Sequence, residues 1–147
     1  MGSTLNLGPP WWQMPREWAS FRPHSLPVIT VRKGAWAIRA LADTGAQTSL
    51  IHPRLVLQFG LPTIGELPIV GIGSSVARVS RVQLTELHVA RWPLSTCEAG
   101  VVNLDNLRLG IDLILGISAF VGYRLQFDFR EGRLYLFSEE REGGNGS

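Results

Sequence analysis

Three observations predict an all-β domain. From Leu26 onward the apolar residues come in short runs, none with the sustained helical period of a long amphipathic segment. Turn-forming clusters separate those runs, among them Lys33-Gly34, Gly71-Ile72-Gly73-Ser74-Ser75 and Arg130-Glu131-Gly132. Several runs alternate apolar with polar residues, clearest in Arg124-Leu125-Gln126-Phe127-Asp128-Phe129 and in Arg133-Leu134-Tyr135-Leu136-Phe137. A chain of 147 residues fits one domain. A hydrophobic share of 45% against 18% charged excludes a disordered chain.

The elements follow in order. Residues 1–25 read as an arm: Pro9, Pro10, Pro15 and Pro23 are hostile to helix and to central strand, and Trp11, Trp12 and Trp18 are costly to leave in water. The arm is therefore expected to cover part of the core, a partner subunit or its own groove. Val28 to Val31 alternates into the turn Lys33-Gly34, and Ala35 to Ala42 returns as the second strand of a hairpin that delivers Asp43 to a loop. Ser49 to His52 is short and apolar. Pro53 to Gly60 reads as one or two helical turns, with Pro53 at the start, Gly60 past the end and Pro62 as the stop.

Leu67 to Val70 and Val76 to Leu84 flank residues 71–75 as a hairpin whose Gly/Ser-rich tip is expected to be mobile. Val82 to Val89 alternates as strand. Pro93 and the stretch Ser95 to Gly100 mark irregular chain or an edge, and a polar connection runs from Asn103 to Asn106. Leu113-Ile114-Leu115 fits a strand buried on both faces, ended by Gly116. Ser118 to Tyr123 is expected to be a short helix capped by Ser118. The alternating runs around Arg130-Glu131-Gly132 form a closing hairpin, so the domain spans 26–137. Residues 138–147 make a polar, Gly-rich tail expected to be disordered.

Several function classes drop out. The formal net charge is only +2, and Arg78, Arg81, Arg91, Arg108, Arg124, Arg130 and Arg133 are scattered among strand-like segments rather than aligned along a phosphate track, so no nucleic-acid partner is expected. No apolar run is long enough for a membrane helix, and no membrane insertion is expected. Cys97 is the sole cysteine, which forbids an internal disulfide and a Cys-based zinc site and fits a reducing compartment. Met1 to Asn6 lacks a basic segment followed by an apolar core, and Asn6 stands where a myristoylation signal needs Ser or Thr, so a cytoplasmic protein is expected; a fragment of a larger polyprotein would look the same.

The chemistry centres on Leu41-Ala42-Asp43-Thr44-Gly45-Ala46, followed by Thr48-Ser49-Leu50-Ile51. With the Gly-rich hairpin about thirty residues on and the run Ile114-Leu115-Gly116 before a short helix, this order resembles the retropepsin-like aspartic proteases. The resemblance covers about Leu26 to Phe137. The helix-like insert Pro53 to Gly60 and the segment from Asp112 to the closing hairpin look more like the cellular and bacterial branch, which includes the DNA-damage-inducible protease domains. It implies a small closed barrel of antiparallel hairpins with one or two short helices, acting as an endopeptidase on extended peptides without metal or organic cofactor.

Peptide hydrolysis by water needs a base for the nucleophile and an acid for the carbonyl oxygen and leaving amine. Two carboxylates sharing one proton supply both. The chain contains one Asp-Thr-Gly, so the second carboxylate is expected to be Asp43 of an identical subunit, making a homodimer through the Asp-Thr-Gly loop the active form. Thr44 has a hydroxyl able to bond backbone groups across the two-fold axis; in the resembled family it locks the two loops together. Gly45 gives the backbone room to approach the carboxylate and donate to it, and Ala46 is small enough to line a substrate site. Gly71, Ile72 and Gly73 are assigned to a flap tip closing over bound peptide, and Ile114 to the apolar wall, while Gly116 allows close packing against the Asp43 loop.

The remaining polar residues fit worse. Asp112 lacks a following Thr-Gly and is expected to bond a backbone group at the strand start; Asp105 and Asp128 fall in a loop and on a hairpin strand. His24, His52 and His88 lack metal-ligand spacing, and Cys97 and Ser118 lack a hydrolase setting. Two other readings remain: a catalytically silent dimer that binds peptides or partners, and a partner-binding β-domain recognised through its Trp-rich arm. The exposed arm or tail is also a candidate self-cleavage product or groove occupant.

Overall fold

The computed structural model describes residues 17–70 and 76–138. Twelve strands and one α-helix follow in the order β1 (Ala19–Ser20), β2 (Val28–Lys33), β3 (Trp36–Ala42), β4 (Ser49–Ile51), α1 (Pro53–Phe59), β5 (Gly65–Val70), β6 (Val76–Leu84), β7 (His88–Val89), β8 (Trp92–Pro93), β9 (Cys97–Val101), β10 (Leu113–Leu115), β11 (Tyr123–Asp128) and β12 (Arg133–Ser138). Single 3-10 turns lie at Asp105–Leu107 and Ile117–Phe120. Nine strands form one sheet in the order β5-β6-β9-β4-β10-β3-β2-β7-β8, and β1-β12-β11 form a second. No helix among the described residues is long and apolar enough to cross a membrane.

The hairpins read from turn chemistry form. Val28 pairs with Leu41 through Lys33 with Trp36, and Gly34 takes the left-handed conformation (φ 58°) that the tight turn requires. β5 pairs with β6 from Gly65↔Arg81 to Val70↔Val76, and β11 with β12 from Tyr123↔Ser138 to Asp128↔Arg133. Helix α1 starts and stops as its sequence indicates. His52 Nδ1 accepts the Arg54 N–H at 3.0 Å as N-cap, Pro53 occupies the first turn, and Gly60 closes the helix in left-handed geometry (φ 61°, ψ 40°).

Three differences from the sequence reading have physical causes. Two pairings are parallel rather than antiparallel: β10 runs parallel to β3 and antiparallel to β4, while β4 runs parallel to β9. Hairpin logic sees only neighbours in sequence, and these strands meet across long connections. The stretch Ser95 to Gly100 is not irregular edge chain, because Cys97–Val101 is a central strand between β6 and β4. Its small residues serve packing: a Cβ on Gly100 would lie 3.0 Å from both Ile69 Cδ1 and Val79 Cγ2 of the overlying hairpin. The run Val82 to Val89 is also broken, with β6 ending at Leu84 and Glu86 at φ 60° before β7.

The chain near residue 20 joins the domain. Ala19 and Ser20 pair with Leu134 and Arg133, Phe21 N–H donates to Gly132 O at 2.9 Å, and Ala19 and Phe21 are buried with the core. Trp18 packs on Tyr135 with ring centres 5.9 Å apart, and the Arg133 guanidinium lies 4.1 Å over its ring. The main core gathers Ile29, Val31, Val82, Val89, Leu113, Leu115, Leu134 and Leu136, each fully enclosed. A smaller cluster of Leu104, Ile111 and Ile114 packs with Val28, Leu41, Leu50, Val102 and Leu109. Leu113 and Leu115 therefore face one core and Ile114 the other, which is why the run Leu113-Ile114-Leu115 is apolar throughout.

Candidate active site

The site is organised by the insertion of β10 between β3 and β4. Ile114 pairs with Leu41 on one side and Leu50 on the other, so the strands on either side of residues 43–48 do not pair with each other. The intervening loop has to pass over the end of β10, and backbone bonds seat it there. Asp43 N–H donates to Leu115 O at 2.9 Å, and Ile117 N–H donates to Ala46 O at 2.7 Å. Within the loop, Ala46 N–H donates to Asp43 O at 3.2 Å and closes the turn.

Asp43 is half-buried at the end of β3. Its Oδ1 accepts the Gly45 N–H at 3.0 Å, which orients the carboxylate toward the turn and leaves Oδ2 without a protein donor among the described residues. A Cβ on residue 45 would lie 3.2 Å from that Oδ1, so glycine permits the approach. Thr44 is exposed beside it, and Ala46 is half-buried. Among the described residues no cation pairs with Asp43. The arrangement is a carboxylate held through one oxygen, with the other open at a polar, exposed loop. Such a group can share a proton or position a water, but one copy cannot serve as acid and base together.

Gly116 meets the loop more tightly than any other described glycine meets its surroundings except Gly132, where Phe21 O fills the place of a side chain. A Cβ on Gly116 would sit 2.5 Å from Ala46 O. Ile114, expected as an apolar wall, is only 7% exposed and packs in the smaller cluster. Gly71, Ile72 and Gly73, expected at the flap tip, lie outside the described residues. The strands leading to that tip are present, with exposed Val70 and Val76 as its last described pair.

Two placements correct the sequence reading. Ser118 does not cap a helix: Ile117–Phe120 is a single 3-10 turn whose N-cap is Gly116, without a side-chain cap bond. The Asp112 side chain does not bond backbone. Its Oδ1 accepts Arg54 Nη2 at 2.8 Å and Nε at 3.2 Å, while Asp105 Oδ1 accepts Arg54 Nη2 at 3.2 Å and lies 3.2 Å from His52 Nε2. His52 Nδ1 accepts the helix N–H, so its ring proton sits on Nε2, although that N–H does not point squarely at Asp105. Partial desolvation pushes the Asp105 carboxyl up, but the nearby His52 Nε2–H and the hydrogen bond and charge of Arg54 outweigh it and hold the group below its ordinary range. No group of three or more His, Cys, Asp or Glu among the described residues is placed to hold a metal ion.

A residue that sequence reasoning left as an ordinary polar strand position is Ser49. It is fully enclosed, and its Oγ accepts the Gly116 N–H at 3.0 Å. Its only sequence signal was a hydroxyl at the head of an otherwise apolar strand.

Comparison with known proteins agrees with the geometry. A family model described as aspartyl protease matches residues 28–119, which is more than half of the chain and includes both Asp43 and Gly116. Among solved structures, a retropepsin-like aspartic protease from Rickettsia conorii superposes with a TM-score of 0.54 at 14% identity, covering 82% of this chain and 88% of that one. The retroviral protease-like domain of Ddi1 from Leishmania major aligns with a TM-score of 0.49 at 14% identity, over 78% of this chain and 96% of that one. No curated protein sequence matches. The fold is retropepsin-like, and the chain belongs to the aspartyl protease family.

Proposed function

We propose that this protein is an aspartic endopeptidase whose active site forms when two identical chains bring their Asp43 carboxylates together. The observation that carries the reading is the Asp43 turn: a single carboxylate, half-buried at a strand end, held through Oδ1 by Gly45 N–H and open at Oδ2. In the dimer one Asp43 takes a proton from water as that water attacks the scissile carbonyl, and the other, protonated, donates to the carbonyl oxygen. Collapse of the tetrahedral species returns a proton to the leaving amine. Thr44, exposed beside Asp43, is the side chain available to tie one loop to its mate.

The substrate is an extended peptide lying between the two Asp43 loops and the β5–β6 hairpins, whose backbone it meets as an added strand. Ala46 and the residues assigned from sequence to the hairpin tip, Gly71, Ile72 and Gly73, are the substrate-contacting residues of this proposal. Ile114 contributes a floor rather than an open wall, since so little of it reaches the surface. Digestion of a peptide library with wild type and Asp43→Asn across a range of pH tests the reading. Cleavage by wild type alone is expected, in a form whose specific activity rises with protein concentration as dimers form. Equal products from both proteins, or none from either, would remove the endopeptidase reading; peptide binding without cleavage would instead favour a silent, peptide-binding dimer.

A further inference from the structure

Ser49 and His52 are the two buried polar or charged residues among those described, and Ser49 is the more enclosed. It stands where the fold lacks a backbone acceptor. At the end of β10, Leu115 O accepts from Asp43 and Ile117 N–H donates to Ala46, so both neighbours of Gly116 are bonded to the Asp43 loop. The Gly116 N–H lies between those two bonds and finds no backbone carbonyl; Ser49 Oγ accepts it at 3.0 Å. Behind the hydroxyl, Cys97 Sγ on β9 lies 3.9 Å away as its remaining polar neighbour.

We propose that Ser49 is a positioning residue for Asp43, its hydroxyl fixing the Gly116 segment on which the Asp43 loop is seated. The proposal rests on the endopeptidase reading above. Gly116 lies against Ala46 so closely that even a methyl group would stand 2.5 Å from Ala46 O, and a shift of Gly116 is therefore passed directly to the loop. Without the hydroxyl, a buried N–H loses its acceptor, and the segment relieves that cost by turning the peptide or admitting water. Either response moves Ile117 N–H relative to Ala46 O and disturbs the turn closed by Ala46 N–H on Asp43 O. Two carboxylates that share one proton tolerate little such movement, since a misplacement of about 1 Å costs roughly 100-fold in rate. Ser49 itself is enclosed and touches no substrate, so it acts only through the loop.

The test compares Ser49→Ala, Ser49→Thr and Ser49→Val in the full chain. Kinetics use a peptide that wild type cleaves and Asp43→Asn does not, and amide exchange is followed at Gly116, Gly45 and Asp43. Ser49→Ala and Ser49→Val are expected to lower kcat about 10- to 100-fold with KM within about twofold, and Ser49→Thr to keep most of wild-type kcat. Gly116 amide exchange should be at least about tenfold faster in the variants that lack a hydroxyl, with β11 and β12 amides unchanged. Thr and Val share one shape, so the strain of an added methyl cancels between them, and this pair decides the matter if Ser49→Ala does not fold. Unchanged kcat in Ser49→Ala, equal loss in Thr and Val, or unchanged Gly116 exchange would overturn the proposal. If no peptide is cleaved in an Asp43-dependent way, the endopeptidase reading fails by itself. Exchange at Gly45 and Asp43 then decides for Ser49: faster in Ser49→Ala supports its hold on the loop, and unchanged overturns it.

Discussion

Strand β10 is three residues long, and its two ends are anchored in opposite ways. Ahead of it, Asp112 N–H bonds Arg39 O and Asp112 O accepts from His52 N–H, while the Asp112 carboxylate takes two bonds from Arg54, which also reaches Asp105. Beyond it, Leu115, Gly116 and Ile117 are stitched to the Asp43 loop and to Ser49 by backbone amides and one hydroxyl, with no ion pair. The charged end is largely exposed, where ion pairs contribute little and are screened by salt. At the neutral end Ser49, Leu115 and Gly116 are buried, where each amide must be satisfied but no charge is introduced. A cation beside a carboxylate favours its charged form, and two acids sharing a proton work without such a bias. The fold thus confines ion pairs to the far end of the strand and holds the candidate site with neutral donors and acceptors.

The sharpest way to break the contrast is at the neutral end. Gly116→Ala places a methyl 2.5 Å from a backbone oxygen, which no side-chain rotation can relieve, so the loop has to move. A loss of about 3 kcal/mol in denaturant unfolding is expected, together with loss of any Asp43-dependent cleavage. A stability change under about 0.5 kcal/mol would show that the loop yields freely and that its seating is not tight.

At the charged end the largest expected effect is a helix cap rather than an ion pair. His52→Ala removes the acceptor of the Arg54 N–H and should cost about 1 kcal/mol, whereas His52→Asn keeps a capping acceptor and should recover most of it. Equal melting of the two variants would assign the role of His52 to packing alone. Neither substitution is expected to change KM, because α1 lies at the other end of β4 from the Asp43 loop.

The smallest effect concerns pH. The Asp105 carboxyl is held below its ordinary value of 3.8, so its pairing with His52 and Arg54 contributes stability that is present above that value and is lost as pH falls through the lower, folded one. Melting of wild type and Asp105→Asn should therefore differ near neutrality and converge in acid below about pH 4. A difference that persisted undiminished to strongly acid pH would mean that Asp105 acts through packing.

Local chemistry made much of this legible. The turns at Lys33-Gly34 and Arg130-Glu131-Gly132, the Pro53 start and Gly60 stop of α1, and the doubly buried run Leu113-Ile114-Leu115 each follow from a residue's own conformational limits or from apolar pattern. The turn at Asp43-Thr44-Gly45 was legible for the same reason, since a carboxylate next but one to a glycine can accept that glycine's N–H. Cys97–Val101 was not, because Ala99 and Gly100 look like weak strand formers until the β5–β6 hairpin is seen lying over them. The Asp112 partner was not either: Arg54 is 58 residues away, and charge pairs at that separation leave no local pattern.

The sequence by itself determined the strand-and-turn alphabet, the lone Asp-Thr-Gly and the glycine that must face it, because those depend on φ preferences and side-chain size within a few residues. Only the tertiary structure decided that β10 would run parallel to β3 between two strands adjacent in sequence. That insertion forces residues 43–48 across the end of β10, and by doing so it turns Ser49 from an ordinary strand hydroxyl into the acceptor for the buried Gly116 N–H, which has no backbone partner.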